Sequence, residues 1–377
     1  MKSKIIYFRI YLIIFKFMRV LDLFAGVGGL SYGFYKNQNF KVIAANEILT
    51  DMAKAYSLNH QDVLMFNKDI KDFGLQDFDK DPNIDIVIGG PPCQAYSTVG
   101  KRLLEDPRGK LFQEYFRILK EFKPSTFLYE NVKGLISMNG HTLLTQITSL
   151  FEILGYKVKY KLLNAADYGV PQMRERVIIV GTLLEKEYEY PKQTHYNSFY
   201  KKGFFVEDHL SHVTLIDAIG DLPPINANEE SNHYLVKPMN HYQKQMRKNS
   251  NILLDHNSPN HNSNLINLIS HIPEGGTLLD IPENIRPKKA FGNSYSRLWS
   301  NRPSTTITRN LGTPSSARCI HPFLNRGLTT REGARLQSFP DNYVFYGSRS
   351  SKNLQIGNAV PPILSTFLAD SIMKLYN

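Results

Sequence analysis

The feature that most constrains this chain is an alternation, through its first half, of short β-branched runs with amphipathic segments. Residues 19–24, 41–47, 84–89, 126–130 and 176–181 read as strands. Most are separated by stretches too long for hairpin turns and long enough for crossover helices, the pattern of a mostly parallel sheet. Leu111, Phe112, Tyr115, Phe116, Leu119 and Phe122 recur at helical spacing, and Pro124 closes that element, so these side chains are expected in the core. A second helix is expected over residues 142–154, with Gly155 as its stop. The expected fold is α/β, with a Rossmann-like sheet carrying helices on both faces.

From about Leu183 the alternation fails, and Pro, Asn and His take over to about residue 290. Eight of the eleven His fall there. Runs such as Asn257-Ser258-Pro259-Asn260-His261-Asn262 read as polar loops, because no Cys or ordered His pair supplies metal-ligand spacing. Regular structure is expected again at 330–338, and at 362–375 as an apolar helix docking on the first domain. The expected division is an extension (1–17), a first domain (18–184), a second, smaller domain (185–300), a basic connecting segment with a helix (301–350) and a returning C-terminal segment (351–377).

The extension is apolar from Ile5 and follows Lys2 and Lys4, as an export signal does. Arg9 and Lys16 interrupt it, no small-residue cleavage site follows, and the uninterrupted apolar run is too short to cross a bilayer. Met18 directly precedes the first strand and is the expected start of the functional domain.

Forty-five Lys and Arg against thirty-four Asp and Glu give a net charge of +11, which favours polyanionic partners. The excess is uneven. Residues 297–352 hold nine basic and two acidic side chains, whereas residues 185–300 hold twelve and thirteen. A phosphate-contacting surface is therefore expected late in the chain. The only cysteines, Cys93 and Cys319, cannot make a disulfide framework or a zinc site and suit a reducing cytosol.

Residues 22–29, Asp-Leu-Phe-Ala-Gly-Val-Gly-Gly, lie where a strand gives way to a helix, and their glycines permit close approach of a ligand. Ser31 stands where a dinucleotide fingerprint needs its last glycine, which counts against a nicotinamide-dependent oxidoreductase. Glu47 ends the next strand, where a carboxylate accepts ribose hydroxyls, and Asp69 follows the third strand, within reach of an adenine amino group. Singly, each acid is as readily a solvated surface group. Together with the turn they describe an adenosine site without a pyrophosphate cradle. Pro91-Pro92-Cys93-Gln94 follows the fourth strand at the carboxyl edge of the sheet, where α/β proteins bind ligands. Two prolines ahead of a thiol suit a nucleophile held at fixed distance, although a lone Cys in such a loop is more often inert. Glu130 ends the fifth strand beside it and can act as a proton donor. Gln172-Met173-Arg174-Glu175-Arg176 leads into the last strand, where alternation can aim both arginines at an anion or carbonyl, or form a salt-bridged surface.

These stretches, with Glu130-Asn131-Val132, residues 331–340 (Arg-Glu-Gly-Ala-Arg-Leu-Gln-Ser-Phe-Pro) and residues 355–360 (Gln-Ile-Gly-Asn-Ala-Val), resemble the ordered motifs of the DNA cytosine-5 methyltransferases, especially those of bacterial restriction-modification systems. The resemblance spans residues 18–377. It implies an S-adenosylmethionine pocket lined by Phe24, Glu47, Asp69, Pro92 and Asn358, with Gly26 and Gly28 shaping the turn. It implies Cys93 as nucleophile, Glu130 as its acid partner, Arg176 on the flipped base and Arg174 bracing the loop. It implies a target-recognition domain within 185–300, whose Asn, Gln, His and Ser side chains read base edges. The expected activity is methylation of carbon 5 of cytosine in a specific double-stranded DNA sequence, by a cytoplasmic monomer without metal or membrane attachment, beside a restriction endonuclease acting separately. An RNA-directed enzyme of the same fold and a catalytically inactive DNA-binding regulator are the alternatives. Deleting residues 1–17 should leave soluble, active protein; a truncated protein that is insoluble or inactive overturns that expectation.

Overall fold

A computed structural model describes residues 17–92, 110–137, 142–196, 210–288, 290 and 292–377. The first sixteen residues of the expected extension lie outside the described residues. Seven strands form one sheet: β1 (Met18–Leu23), β2 (Phe40–Asn46), β3 (Leu64–Phe66), β4 (Ile86–Gly89), β5 (Thr126–Val132), β6 (Lys157–Asn164) and β7 (Glu175–Thr182). Their spatial order is β3-β2-β1-β4-β5-β7-β6. The β3-β2-β1-β4-β5 block is parallel throughout, and β7 runs antiparallel to both neighbours. The expected mostly parallel α/β sheet is therefore present.

The five expected strands are β1, β2, β4, β5 and β7. The other two are edge strands: β3, the strand expected before Asp69 without stated bounds, and β6, for which no strand was expected. β3 has only three residues, and β6 exposes Lys157, Lys159 and Lys161, so neither presents the apolar run of a central strand. Edge lysines of this kind also discourage pairing with another chain.

Among the described residues of the first half five helices occur: α1 (Ser31–Lys36), α2 (Thr50–Asn59), α3 (Lys110–Phe122), the single turn α4 (Gly134–Ser137) and α5 (Thr142–Ile153). Side chains alternate across the strands and build two cores. Val20, Ile86, Ile88, Leu128 and Ile178 point to one face, and Leu21, Val87, Phe127, Tyr129 and Ile179 to the other. The second face receives Phe112, Tyr115 and Leu119 of α3 and Phe151 of α5, as the helical spacing of the aromatics requires.

Six more helices follow: α6 (Leu215–Ile219), α7 (His241–Met246), α8 (Ser263–Ser270), α9 (Thr330–Leu336), α10 (Arg349–Asn358) and α11 (Pro362–Met373). The expected apolar C-terminal helix is α11, which puts Leu364, Leu368 and Ile372 into the first core. It lies so close to α1 that a side chain at Gly33 would overlap the Ser365 backbone, and the Gly33 amide donates to Ser365 Oγ at 2.9 Å. A third core joins Leu215, Leu222, Tyr242 and Met246 to Leu336, Phe339 and Phe345, and takes in Val27 and Ala55 from the first half. Packing also continues across the composition change at Leu183, since Tyr188 is buried in the first core.

The expectation of a phosphate-contacting surface within 297–352 is narrowed here: Arg297, Arg326, Arg331 and Arg335 of that stretch are all buried. Arg335 donates to Asp341 at 2.5 and 2.7 Å and to Asp221 at 2.9 Å. Arg326 forms a two-point pair with Glu332, both bonds 2.8 Å. Arg331 donates to the carbonyls of Leu254, Pro340 and Tyr343, and Arg297 to those of Ile269, Ile272, His321 and Leu324. Counting charges along a sequence cannot reveal this, because α9 is buried around its whole circumference and its charges must find partners inside. Those partners hold the Glu332 and Asp341 carboxyls below their ordinary range despite burial.

Removing one member of a buried pair strands the other charge, at a cost of about 3–5 kcal/mol. Arg335→Met should therefore lower unfolding stability by roughly that amount in urea titrations, with Asp221 and Asp341 left facing each other. A loss below about 1 kcal/mol would show that the network contributes packing and not charge pairing.

Candidate active site

The carboxyl ends of β1, β2, β4 and β5 open onto one cavity of about 340 Å³. Phe24, Gly26, Glu47, Asp69, Pro92 and Asn358 all line it, and so does Glu130. Of the expected ligand residues only Gly28 is not in the wall. At φ +91° it turns the backbone into α1, and a side chain there would overlap His60. It shapes the loop without facing the cavity.

Phe24, directly after β1, has φ +52°, a left-handed conformation that a non-glycine residue adopts at a cost of about 1–3 kcal/mol. The strain turns an aromatic ring to the cavity at the point where the chain leaves the sheet. Glu47, one residue past β2, cinches the neighbouring loops: its Oε2 accepts from the Gly26 amide and its Oε1 from the Leu49 amide, both at 2.8 Å. Burial raises its pKa, and those amides oppose the rise. Each oxygen keeps a further lone pair for a hydroxyl. Asp69 lies three residues beyond β3 and caps the short 3-10 turn at Ile70–Asp72 by accepting from the Lys71 amide at 3.1 Å. An aromatic ring, two carboxylates and Asn358 around this volume suit a nucleoside-sized group.

The Glu130 carboxylate meets Arg176, with Oε1 2.9 Å from Nε and both side chains nearly buried. The antiparallel register pairs Val132 with Arg176, which makes Glu130 and Arg176 diagonal neighbours on one face. The chain leaving β4 passes directly over this carboxylate: a Cβ at Gly90 would stand 2.7 Å from Glu130 Oε2, so a side chain there would press on the paired carboxylate. Asn131 Nδ2 donates to the Pro91 carbonyl at 3.1 Å, and Pro92 reaches the cavity wall. Cys93 lies outside the described residues, immediately after that proline.

Arg174 does not join Glu130. It is buried and donates to the carbonyls of Ile307 at 3.1 Å and Gly357 at 3.0 Å. Burial, with Arg176 nearby, lowers its pKa to about 9. It thus ties the loop before β7 to residue 307 and to the end of α10, one residue before Asn358. Gln172 and Gln337 extend the tie, and sequence reasoning assigned neither a role. Gln172 donates to the Leu336 carbonyl and to Gln337 Oε1, and Gln337 donates to the carbonyls of Ile356 at 2.7 Å and Ala359 at 2.9 Å.

Asp22 is the other residue that sequence reasoning passed over. It lines the cavity, is 1% exposed, and neither carboxylate oxygen has a hydrogen-bond partner. The nearby Ser31 hydroxyl donates to the Gly28 carbonyl instead. Burial, reinforced by the Glu47 charge and opposed by Ser31, pushes the Asp22 pKa up to about 8. Its place at the end of β1, opening the glycine turn, is the signal that could have singled it out.

The sequence profile of the C-5 cytosine-specific DNA methylases matches residues 18–374. The chain belongs to the C-5 cytosine-specific DNA methylase family. It is 35% identical to the type II methyltransferase M1.HphI of Haemophilus parahaemolyticus over 97% of this chain and 89% of that protein. It is 36% identical to the type II methyltransferase M.DdeI of Desulfomicrobium norvegicum, over 94% and 88%. Among solved structures it resembles a protein described as a DNA modification methyltransferase encoded within an E. coli prophage, with a TM-score of 0.74 and 25% identity over 96% of this chain and 99% of that one. The fold is shared with Schizosaccharomyces pombe Dnmt2 at a TM-score of 0.59 and 18% identity, covering 96% and 100% of the two chains. The enzyme is accordingly a DNA (cytosine-5-)-methyltransferase. Among the described residues no helix is long and apolar enough to cross a membrane, and no cluster of His, Cys, Asp and Glu could hold a metal ion.

The Asp22 carboxyl yields a test in pH. Folding raises its pKa from 3.8 to about 8, so between those values the folded methyltransferase holds a proton that the unfolded chain has released. The stability it contributes is complete below the unfolded value and is lost as pH rises toward the folded one. Asp22→Asn should therefore gain melting temperature relative to the parent as pH goes from 5 to 8, by several degrees in all. A difference that stays flat with pH would show that Asp22 is not held protonated.

Proposed function

We propose that this methyltransferase moves the methyl group of S-adenosylmethionine to carbon 5 of a cytosine swung out of double-stranded DNA, through transient addition of Cys93 to the ring. The observation that carries the reading is the single cavity lined by Phe24, Glu47 and Asp69, which suit an adenosine, and by Glu130, whose carboxyl group is paired with Arg176. When bound, S-adenosylmethionine supplies an electrophilic methyl on a sulfonium. Glu47 would accept the ribose hydroxyls, Asp69 the adenine amino group, and Asn358 would close the pocket.

Carbon 5 of cytosine is a weak nucleophile and must be made electron-rich. The Cys93 thiolate adds to carbon 6 while Glu130, which must carry a proton for this step, donates it or a hydrogen bond to ring nitrogen 3, which raises electron density at carbon 5. Arg176 orients Glu130 and presents its remaining N–H groups to the base. After transfer a base, for which solvent water suffices, takes the carbon 5 proton, the carbon 5–carbon 6 double bond re-forms, the carbon 6–sulfur bond breaks and Cys93 leaves as thiolate. A free thiol near pKa ~8.5 is only a few per cent ionised at neutral pH, so the thiolate must form during attack or be stabilised in the loop. Extruding the base costs a few kcal/mol, which contacts to the duplex must offset. The type II methyltransferases among the relatives support a modification enzyme working beside, and separately from, a restriction endonuclease. The two-cysteine composition suits a reducing cytosol.

Labelled methyl transfer to duplex DNA and to tRNA, measured side by side, should favour DNA, and bisulfite sequencing of a plasmid from expressing cells should show one protected sequence. Cys93→Ser should abolish transfer and keep duplex binding, while Glu130→Gln should lower the rate by about 10²–10⁴-fold. Turnover that survives Cys93→Ser would refute the nucleophile, and transfer to tRNA alone would refute the substrate.

A further inference from the structure

The burial of four arginines changes where a polyanion can be held. Of the remaining basic side chains in 297–352, Lys352 is paired with Asp255 at 2.6 Å, and Arg318 donates to the carbonyls of Gly275 and Arg297 while lying against Trp299. Arg302, Arg309 and Arg349 have no carboxylate partner among the described residues, and the last two line the same groove.

That groove, about 1080 Å³, is separate from the active-site cavity but shares Leu49 and Met52 with it. Its walls come from both halves of the chain. Arg349, which begins α10, and Arg309 both line it, and Asn260, Thr313 and Ser315 add neutral hydrogen-bonding groups. Asp51 is the acid in the wall. One guanidinium nitrogen of Arg349, Nη1, is buried without a partner, so its charge is uncompensated within the protein.

The position of the groove is set by the active site. Residues 304–309 lie along the loop that carries Arg176: the Met173 amide donates to the Ser304 carbonyl at 2.8 Å, Thr306 Oγ1 to the Met173 carbonyl at 2.6 Å, and the Ile307 amide to Gln172 Oε1 at 3.0 Å. The Arg309 backbone then rests on Gly357, where any side chain would overlap it, next to Asn358 of the cavity wall. The groove therefore adjoins the active-site cavity at Leu49 and Met52 and reaches its wall beside Asn358.

We propose that the groove seats the sugar–phosphate backbone of the substrate duplex, with Arg309 and Arg349 each neutralising one phosphate. This rests on the reading of the chain as an enzyme of duplex DNA and adds the place where the backbone is held. Phosphate contacts position a duplex without reading its sequence. Each one lost should reduce the slope of log affinity against log salt by about 0.9.

Fluorescence anisotropy with two duplexes of unrelated sequence, titrated from low to moderate salt, tests the assignment. The Arg309→Gln/Arg349→Gln protein should show a slope smaller by about 2 and weaker binding at low salt, by roughly tenfold per arginine and to a similar extent for both duplexes. The charge-keeping Arg309→Lys/Arg349→Lys protein should retain the parent slope. If the double Gln protein melts early, the single Arg309→Gln and Arg349→Gln proteins carry the test: a slope smaller by about 1 in each supports the groove, and an unchanged slope in either folded protein overturns it. An unchanged slope in a folded Gln protein overturns it, as does a loss confined to one duplex, which would mean base reading. Parent protein that neither binds nor methylates duplex DNA refutes the underlying reading instead; intact methylation with an unchanged slope refutes only the groove.

Discussion

Charges cannot be left unpaired in a protein interior, and in this methyltransferase that constraint falls mainly on one short helix. Every residue of α9 is buried, and it carries Arg331, Glu332 and Arg335. Removing such ions from water costs several kcal/mol each unless partners and hydrogen bonds replace the solvent. Arg335 meets Asp221 and Asp341, Glu332 meets Arg326, and Arg331 meets three backbone carbonyls, so the segments that supply those groups can take few other positions. Hydrophobic contact alone would permit sliding; directional charged bonds do not.

From this anchor the order passes to the active site. Gln337, directly after α9, holds the carbonyls on either side of Asn358 and meets Gln172, while Arg174 holds the Gly357 and Ile307 carbonyls. The wall of the cavity, the loop that delivers Arg176 and the segment reaching Arg309 are thus parts of one hydrogen-bonded structure. A shift in any of them must be shared by the others, which links the site expected to hold a methyl donor to the surface expected to hold DNA. His256 strengthens the link on the far side: its ring bridges Thr329, the cap of α9, at 3.1 Å and the Pro223 carbonyl at 2.8 Å.

The Glu130–Arg176 pair shows a different economy. It needs no long network, because adjacent antiparallel strands bring the two side chains together on one face. Glycine at position 90 then allows the loop leading toward Cys93 to cross the carboxylate at close range. Strand register, one missing side chain and one ion pair suffice to assemble that part of the cavity wall.

What the sequence by itself determined is local and periodic. Alternation of runs determined the parallel sheet, helical spacing placed the α3 aromatics in the core, strand ends marked Gly26, Glu47, Asp69 and Glu130, and the family resemblance added Phe24, Pro92 and Asn358; all of them meet in one cavity. These were legible because ligands gather at the carboxyl edge of such a sheet, and the edge follows from where each strand stops. Burial was not legible. The edge strands β3 and β6 carry weak patterns, the unpartnered Asp22 looks like any acid before a glycine turn, and Arg174 looks like its neighbour Arg176. Above all, nine basic residues in one stretch look alike as charges. Only tertiary structure separated the arginines that hold the protein together from Arg309 and Arg349, because desolvation and pairing depend on residues up to a hundred or more positions away, such as Asp221 with Arg335 and Ile307 with Arg174.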